Sequence, residues 1–69
     1  MRLRQLREEK GLTQRELATI LGIPLNTYGH YEYDVRRQPK EFLINAADFF
    51  NVTVDYLIGH TDTNLKIAI

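Results

Sequence analysis

Asn26 and His30 stand four residues apart in the run LNTYGHY, residues 25–31, a spacing that places two side chains on one face of a helix. A carboxamide offers a donor and an acceptor side by side. That matches N6 and N7 of adenine, a pairing worth about 1–3 kcal/mol of discrimination against the wrong base. An imidazole N–H donates to guanine N7, and Leu25 offers an apolar surface for the methyl group of thymine. Further along, Arg36, Arg37 and Lys40 form a basic cluster of the kind that meets phosphate oxygens and fixes register without reading sequence. Arg2 and Arg4 are secondary candidates for the same task. Each residue also has an ordinary reading: Asn26 as a surface amide, His30 as a solvated ring beside a loosely packed Gly29, each Arg or Lys as a charge on a wet helix face. The cluster is more persuasive than its members.

The residue types needed for catalysis do not assemble. The chain has no cysteine, its two histidines, His30 and His60, are far apart in sequence, and neither a glycine-rich phosphate loop nor a plausible carboxylate pair is present. A metal site needs more ligands than these. The sequence therefore reads as a binding protein, not an enzyme, with no cofactor, no metal and no small-molecule ligand.

Size limits the architecture. A chain of 69 residues supports one small core and one domain, since at this length only about 60% of the unfolded surface is buried on folding. Without disulfides, stability must come from helix packing, with oligomerisation as a further source. The formal net charge is zero, which taken alone argues against a nucleic-acid partner. The distribution argues the other way: residues 1–40 carry eight Lys/Arg against five Asp/Glu, while residues 41–69 carry Lys66 against four acids. Such a polarised domain presents a basic end to phosphate while its other end stays acidic. No apolar stretch is long enough to span a bilayer, and MRLRQLREEK lacks the apolar run of a secretory signal. A cytoplasmic location is the expectation.

Five helices should hold these residues in place. The first covers about residues 2–10, with Leu3 and Leu6 inward and Gly11 as its stop. Thr13 and Glu16 form a Thr-x-x-Glu capping box that opens a helix over residues 14–21, whose apolar face is Leu17, Ala18 and Leu21. Gly22 follows, where a sharp turn needs positive φ. The next helix starts at Pro24 or Leu25, because proline favours the first helical position. It lacks a side-chain cap and carries Gly29 in its interior, defects of about 1 kcal/mol each, so Tyr28 and Tyr31 must hold it by tertiary contacts. A fourth helix spans residues 40–50 with Leu43, Ala46, Ala47 and Phe50 inward, and Asn51 suits its end. Thr53 caps a short fifth helix that Gly59 ends. The expected core is Leu6, Leu12, Leu17, Leu21, Ile23, Tyr28, Leu43, Ala47, Phe50, Val52 and Leu57.

The order and spacing of Leu12-Thr13-Gln14, Glu16-Leu17-Ala18, Leu21-Gly22 and Tyr31-Glu32 resemble the helix-turn-helix of the Cro/repressor (XRE-like) family of DNA-binding domains. Ala47-Asp48 and the run from Asn51 to Gly59 are similar to that family's closing helices, so the resemblance covers residues 2–60. It implies an all-α, compact five-helix bundle, lambda-repressor-like, with a central helix-turn-helix whose second helix enters the major groove. It also implies that Gln14 points at a phosphate, that Thr27 acts similarly, that Lys40 approaches the minor groove, and that Arg7 and Glu32 form a buried structural salt bridge. Two positions depart from the pattern. Pro24 stands where the family has a serine or threonine cap, and Asp34 replaces its usual glycine, although aspartate tolerates the left-handed region better than most residues.

The resulting expectation is a sequence-specific transcriptional regulator, a repressor, bound to double-stranded DNA as a homodimer on a near-palindromic operator. The alternative is a protein-interaction or antitoxin-like module that keeps the fold with weak or no DNA recognition, favoured by Tyr33 and by the absence of Lys or Arg from the third helix. Residues 1–60 form the domain and residues 61–69 a tail. Tyr56 and Ile58, together with Leu65, Ile67 and Ile69 at strand-like alternation, are the candidate dimer interface. The tail is equally readable as disordered or as the start of further chain.

Overall fold

The computed structural model describes residues 1–33 and 38–64. They form five helices: α1 (Leu3–Glu9), α2 (Gln14–Leu21), α3 (Leu25–Tyr33), α4 (Lys40–Phe50) and α5 (Val54–Leu57), with no strand among the described residues. Asp34, Arg36 and Arg37, and the tail residues Leu65, Ile67 and Ile69, lie outside the described residues.

Local chemistry sets the boundaries. Thr13 Oγ1 accepts from the Glu16 N–H at 3.0 Å while the Thr13 N–H donates to Glu16 Oε1 at 2.8 Å, the reciprocal box expected at the start of α2. Gly22 ends α2 at φ +72°, and a Cβ there would meet nothing within 4 Å. The glycine thus answers a backbone angle rather than a lack of space. α3 begins at Leu25, and the Pro24 carbonyl accepts from the Tyr28 N–H at 3.0 Å. Proline therefore supplies the first helical acceptor while having no N–H of its own to satisfy. Asn51 closes α4 in the left-handed conformation at φ +56°, and Thr53 Oγ1 caps α5 by accepting from the Tyr56 N–H at 3.0 Å.

Tyr28, Leu3, Leu17 and Leu57 are the most enclosed large side chains. Ala18, Ala46 and Ala47 are buried among them, small enough to let helix backbones approach. Val52 and Phe50 are buried with them. Five residues expected in the core, Leu6, Leu12, Leu21, Ile23 and Leu43, instead pack partly buried around its rim. The position that periodicity missed is Phe42, which is buried and sets its ring 6.3 Å from Tyr28 and 4.5 Å from Tyr31. α4 carries apolar residues around most of its circumference, so spacing alone could not choose between Phe42 and Leu43. The larger ring takes the seat because it reaches both tyrosines of α3.

The body continues past α5. Arg2 donates its backbone N–H to the Leu57 carbonyl at 2.7 Å, and its side chain reaches Tyr56, Thr61 and Asp62. Among the described residues no helix is long and apolar enough to cross a membrane.

Phe42→Ala should remove about 3–5 kcal/mol, since it empties a buried aromatic site, an amount comparable to the whole stability of a single core this small. Ile44→Ala, two positions on and 41% exposed, should stay within about 0.5 kcal/mol of wild type. Urea melts of the two variants check this.

Candidate nucleic-acid interface

The centre of the helix-turn-helix is a carboxylate. Glu32, near the end of α3, accepts at Oε2 from Arg7 Nε at 2.7 Å and from the Tyr28 hydroxyl at 2.6 Å, and at Oε1 from Gln14 Nε2 at 3.1 Å and Arg7 Nη2 at 3.4 Å. Arg7 also donates Nη1 to the Leu12 carbonyl at 2.6 Å, which ties in the link between α1 and α2. The Glu32 and Arg7 side chains are only 5% and 11% exposed. Among the described residues, no buried side-chain polar atom lacks a partner, which is the condition for a buried ion pair to be tolerable. One acid thus joins α1, α2 and α3 and fixes the tilt at which α3 is displayed.

The electrostatics derive from this geometry. Burial pushes the Glu32 carboxyl upward, but hydrogen bonds from Arg7, Tyr28 and Gln14 outweigh it and hold the group below its ordinary value. The hydrogen bond to Glu32 raises Arg7. Burial, reinforced by the same carboxylate, pushes the Tyr28 hydroxyl up, so it remains a neutral donor.

With that edge locked inward, α3 turns its other side to solvent. Asn26 and His30 are exposed, Leu25 is 36% exposed and Thr27 is half-buried. Asn26 Oδ1 accepts from the Thr27 N–H at 3.0 Å in the free chain. Lys40 is exposed at the start of α4. A Cβ on Gly29 would meet only Gln14 Oε1, at 4.0 Å, so packing does not demand glycine there. A shallow cleft of about 270 Å³ lies beside this face, lined by Arg4, Gln14, Gly29, Glu32 and Tyr33. Among the described residues no group of three or more His, Cys, Asp or Glu side chains converges as metal ligands would.

Two expected contacts look different in place. The carboxamide of Gln14 is bonded to Glu32 through Nε2, while the residue stays half-buried at the cleft. The guanidinium of Arg2 is committed to the other end of the chain. Tyr28 is fully buried and Tyr31 packs on Phe42, whereas Tyr33 is 90% exposed. Tyr56 lies under the Arg2 guanidinium at 4.4 Å, and Ile58 is 39% exposed. The Tyr28–Glu32 bond is absent from the sequence-based reading, yet its four-residue spacing on one helix is a readable signal. The Gln14–Glu32 bond spans 18 positions and has no local one.

The sequence profile of the helix-turn-helix family matches residues 3–57. The chain belongs to that family. It is 43% identical over 61 residues to the uncharacterized HTH-type transcriptional regulator YobD of Bacillus subtilis, covering 88% of this chain and 54% of that protein. The HTH-type transcriptional regulator ImmR of the same organism is 35% identical over 65 residues, covering 94% of this chain and 51% of ImmR. The cryptic phage CTXphi transcriptional repressor RstR of Vibrio cholerae is 33% identical over 64 residues, 93% of this chain and 58% of RstR. The chain spans about half the length of these curated relatives. No solved structure matches it.

Within this helix-turn-helix, Glu32→Ala should cost about 3–5 kcal/mol, because Arg7 is left buried without its counter-charge. Glu9→Ala, at an exposed site, should change stability by less than about 0.5 kcal/mol. Differential scanning calorimetry of the two separates a buried pair from a surface charge. Acid gives a second check. The folded carboxyl titrates below 4.5, so its stabilising contribution is complete above that value and is lost as pH falls through the lower folded value. Wild-type melting temperature should therefore drop on acidification below pH 4.5, and Glu32→Gln, which has no carboxyl to protonate, should show a shallower fall.

Proposed function

We propose that this chain is a sequence-specific DNA-binding transcriptional regulator, a repressor, that lays α3 in the major groove. The observation that carries this reading is the division of α3 into two sides. One is locked to α1 and α2 through Glu32, and the other displays Leu25, Asn26 and His30 to solvent. A reader needs both, since side chains can discriminate bases only from a helix held at a fixed angle. Asn26 takes adenine, His30 guanine N7 and Leu25 a thymine methyl group. Lys40, Arg36, Arg37 and Thr27 supply phosphate contacts. Gln14 contributes its main-chain N–H at the start of α2, where the helix dipole favours an anion.

The regulator works as a homodimer on a near-palindromic site. A single module of this size contacts too few base pairs to reach the affinity of about 10⁻⁸–10⁻¹¹ M that specific sites require. Pairing places two recognition helices about one DNA turn apart. Ile58, exposed beyond α5, and the apolar alternation of Leu65, Ile67 and Ile69 support an interface at this end of the chain. The 90% exposure of Tyr33 supports the second reading, a protein-interaction or antitoxin-like module.

Binding of variants to a selected duplex and to a scrambled one distinguishes the two readings. Asn26→Ala should relax preference at one base position. Lys40→Ala should weaken all duplexes alike and reduce the salt slope by about one. Affinity that ignores both salt and sequence would favour the interaction module over the regulator.

A further inference from the structure

Gly29 is a costly residue for which the packed chain supplies no reason. Glycine inside a helix is less favourable than alanine, and α3 already begins after a proline. Unlike Gly11, Gly22 and Gly59, it does not hold a positive φ. A Cβ there would meet only Gln14 Oε1, at 4.0 Å, an ordinary contact. The free chain therefore has room for alanine. What the missing side chain leaves open is the cleft of about 270 Å³ that Arg4, Gln14, Glu32 and Tyr33 also line. The Glu32 carboxylate is nearly enclosed, and its oxygens are taken by Arg7, Tyr28 and Gln14. The accessible charge is Arg4, which is exposed and has only a 3.5 Å contact to Glu8 on its own helix, a pairing that water screens. Tyr33 shares a helix stripe with Gly29, four residues before it, and Asn26, seven before it. It is 90% exposed, so no core contact accounts for it.

We propose that Gly29 is the point where duplex DNA comes closest to α3, and that this cleft seats one deoxyribose–phosphate of the DNA backbone. The sugar lies over the bare Gly29 Cα, the Tyr33 hydroxyl donates to a phosphate oxygen, and Arg4 adds charge. The inference rests on the regulator reading above. A recognition helix touches base edges with its N-terminal residues. The stripe that starts at Asn26 therefore leaves the bases as it runs to Tyr33, about 10 Å further along the helix. Glycine lets a backbone approach a ligand most closely, and tyrosine is among the side chains that bond phosphate. The seat fills only when α3 is fully inserted, so it favours the duplex whose bases α3 can read. The instability that glycine brings to α3 is the counterpart of that fit, as expected where function needs a locally unfavourable residue.

The test uses the full chain, as wild type, Gly29→Ala and Tyr33→Phe, with a duplex selected from a random pool and its scrambled counterpart. Gly29→Ala should melt about 4–8 °C higher than wild type. It should nevertheless bind the selected duplex about tenfold more weakly, because one methyl group is forced into a close contact. Its affinity for the scrambled duplex should stay within about twofold of wild type. Stability and binding thus move in opposite directions, which poor folding cannot mimic. Tyr33→Phe should melt with wild type, since the site is exposed, and lose about fivefold on the selected duplex. Single methylphosphonates, which neutralise one phosphate at a time, are then walked along each strand. At one phosphate whose neutralisation weakens wild type, Tyr33→Phe should lose nothing further. Gly29→Ala matching wild type on the selected duplex overturns the inference and leaves the regulator reading intact. An equal loss on both duplexes also overturns it, since the cleft would then be filled without insertion. A Tyr33→Phe profile identical to wild type at every phosphate does the same. A wild-type chain with no preference between the duplexes overturns the regulator reading and this inference with it.

Discussion

A carboxylate removed from water must be matched by donors already in place, and in this protein that requirement organises the helix-turn-helix. Glu32 receives hydrogen bonds from α1, α2 and its own helix, while Arg7 turns its remaining edge to the link after α1. None of these groups can move alone without leaving a buried charge or donor unmatched. A purely apolar contact between α2 and α3 would tolerate sliding. The directional bonds at Glu32 do not, so they give a very small core a defined angle between its helices.

That angle matters because α3 has little to hold it as an isolated helix. It begins after a proline that offers no side-chain cap and carries Gly29 in its interior. Its stability is tertiary. Tyr28 fills the centre of the core, its hydroxyl reaching Glu32, and Tyr31 and Tyr28 both pack on the Phe42 ring of α4. Inward-facing aromatics thus leave Asn26 and His30 exposed on the other side of α3, with Leu25 36% exposed beside them.

The parts of the structure governed by local rules were legible in the sequence. The Thr13–Glu16 box, the positive φ at Gly22, the helix end at Asn51, the Thr53 cap and the bounds of α2 and α4 derive from chemistry within four residues. The Arg7–Glu32 pair was legible only through resemblance, because its partners are 25 positions apart. The features that escaped were non-local. The seat of Phe42 depends on where α3 places its tyrosines, and the bond from Gln14 depends on Glu32 being within reach. Arg2 reads from sequence as a free cation, but a partner 60 positions away takes it. Residues 61–64 look like tail by composition, yet their contacts join them to the body. In each case a long polar or aromatic side chain chose a partner that only the assembled fold supplies.

The absence of Lys and Arg from α3 then has a physical consequence for the proposed regulator. Neutral groups such as an amide, an imidazole or an aliphatic chain discriminate bases without adding the long-range attraction that every sequence shares. For the proposed regulator, attraction to the duplex is assigned to cations outside the helix, such as Lys40 at the start of α4, and to the surplus of positive charge in residues 1–40. In that proposal, affinity for any DNA and preference among DNAs fall to different residues on different segments. Raising salt weakens the first through counterion release but leaves the hydrogen bonds and apolar contacts of α3 largely untouched. In the proposed reading α3 adds no charge of its own to the attraction that every sequence shares. Selectivity then depends on α3 being presented at a fixed angle, and so on the donors gathered around Glu32.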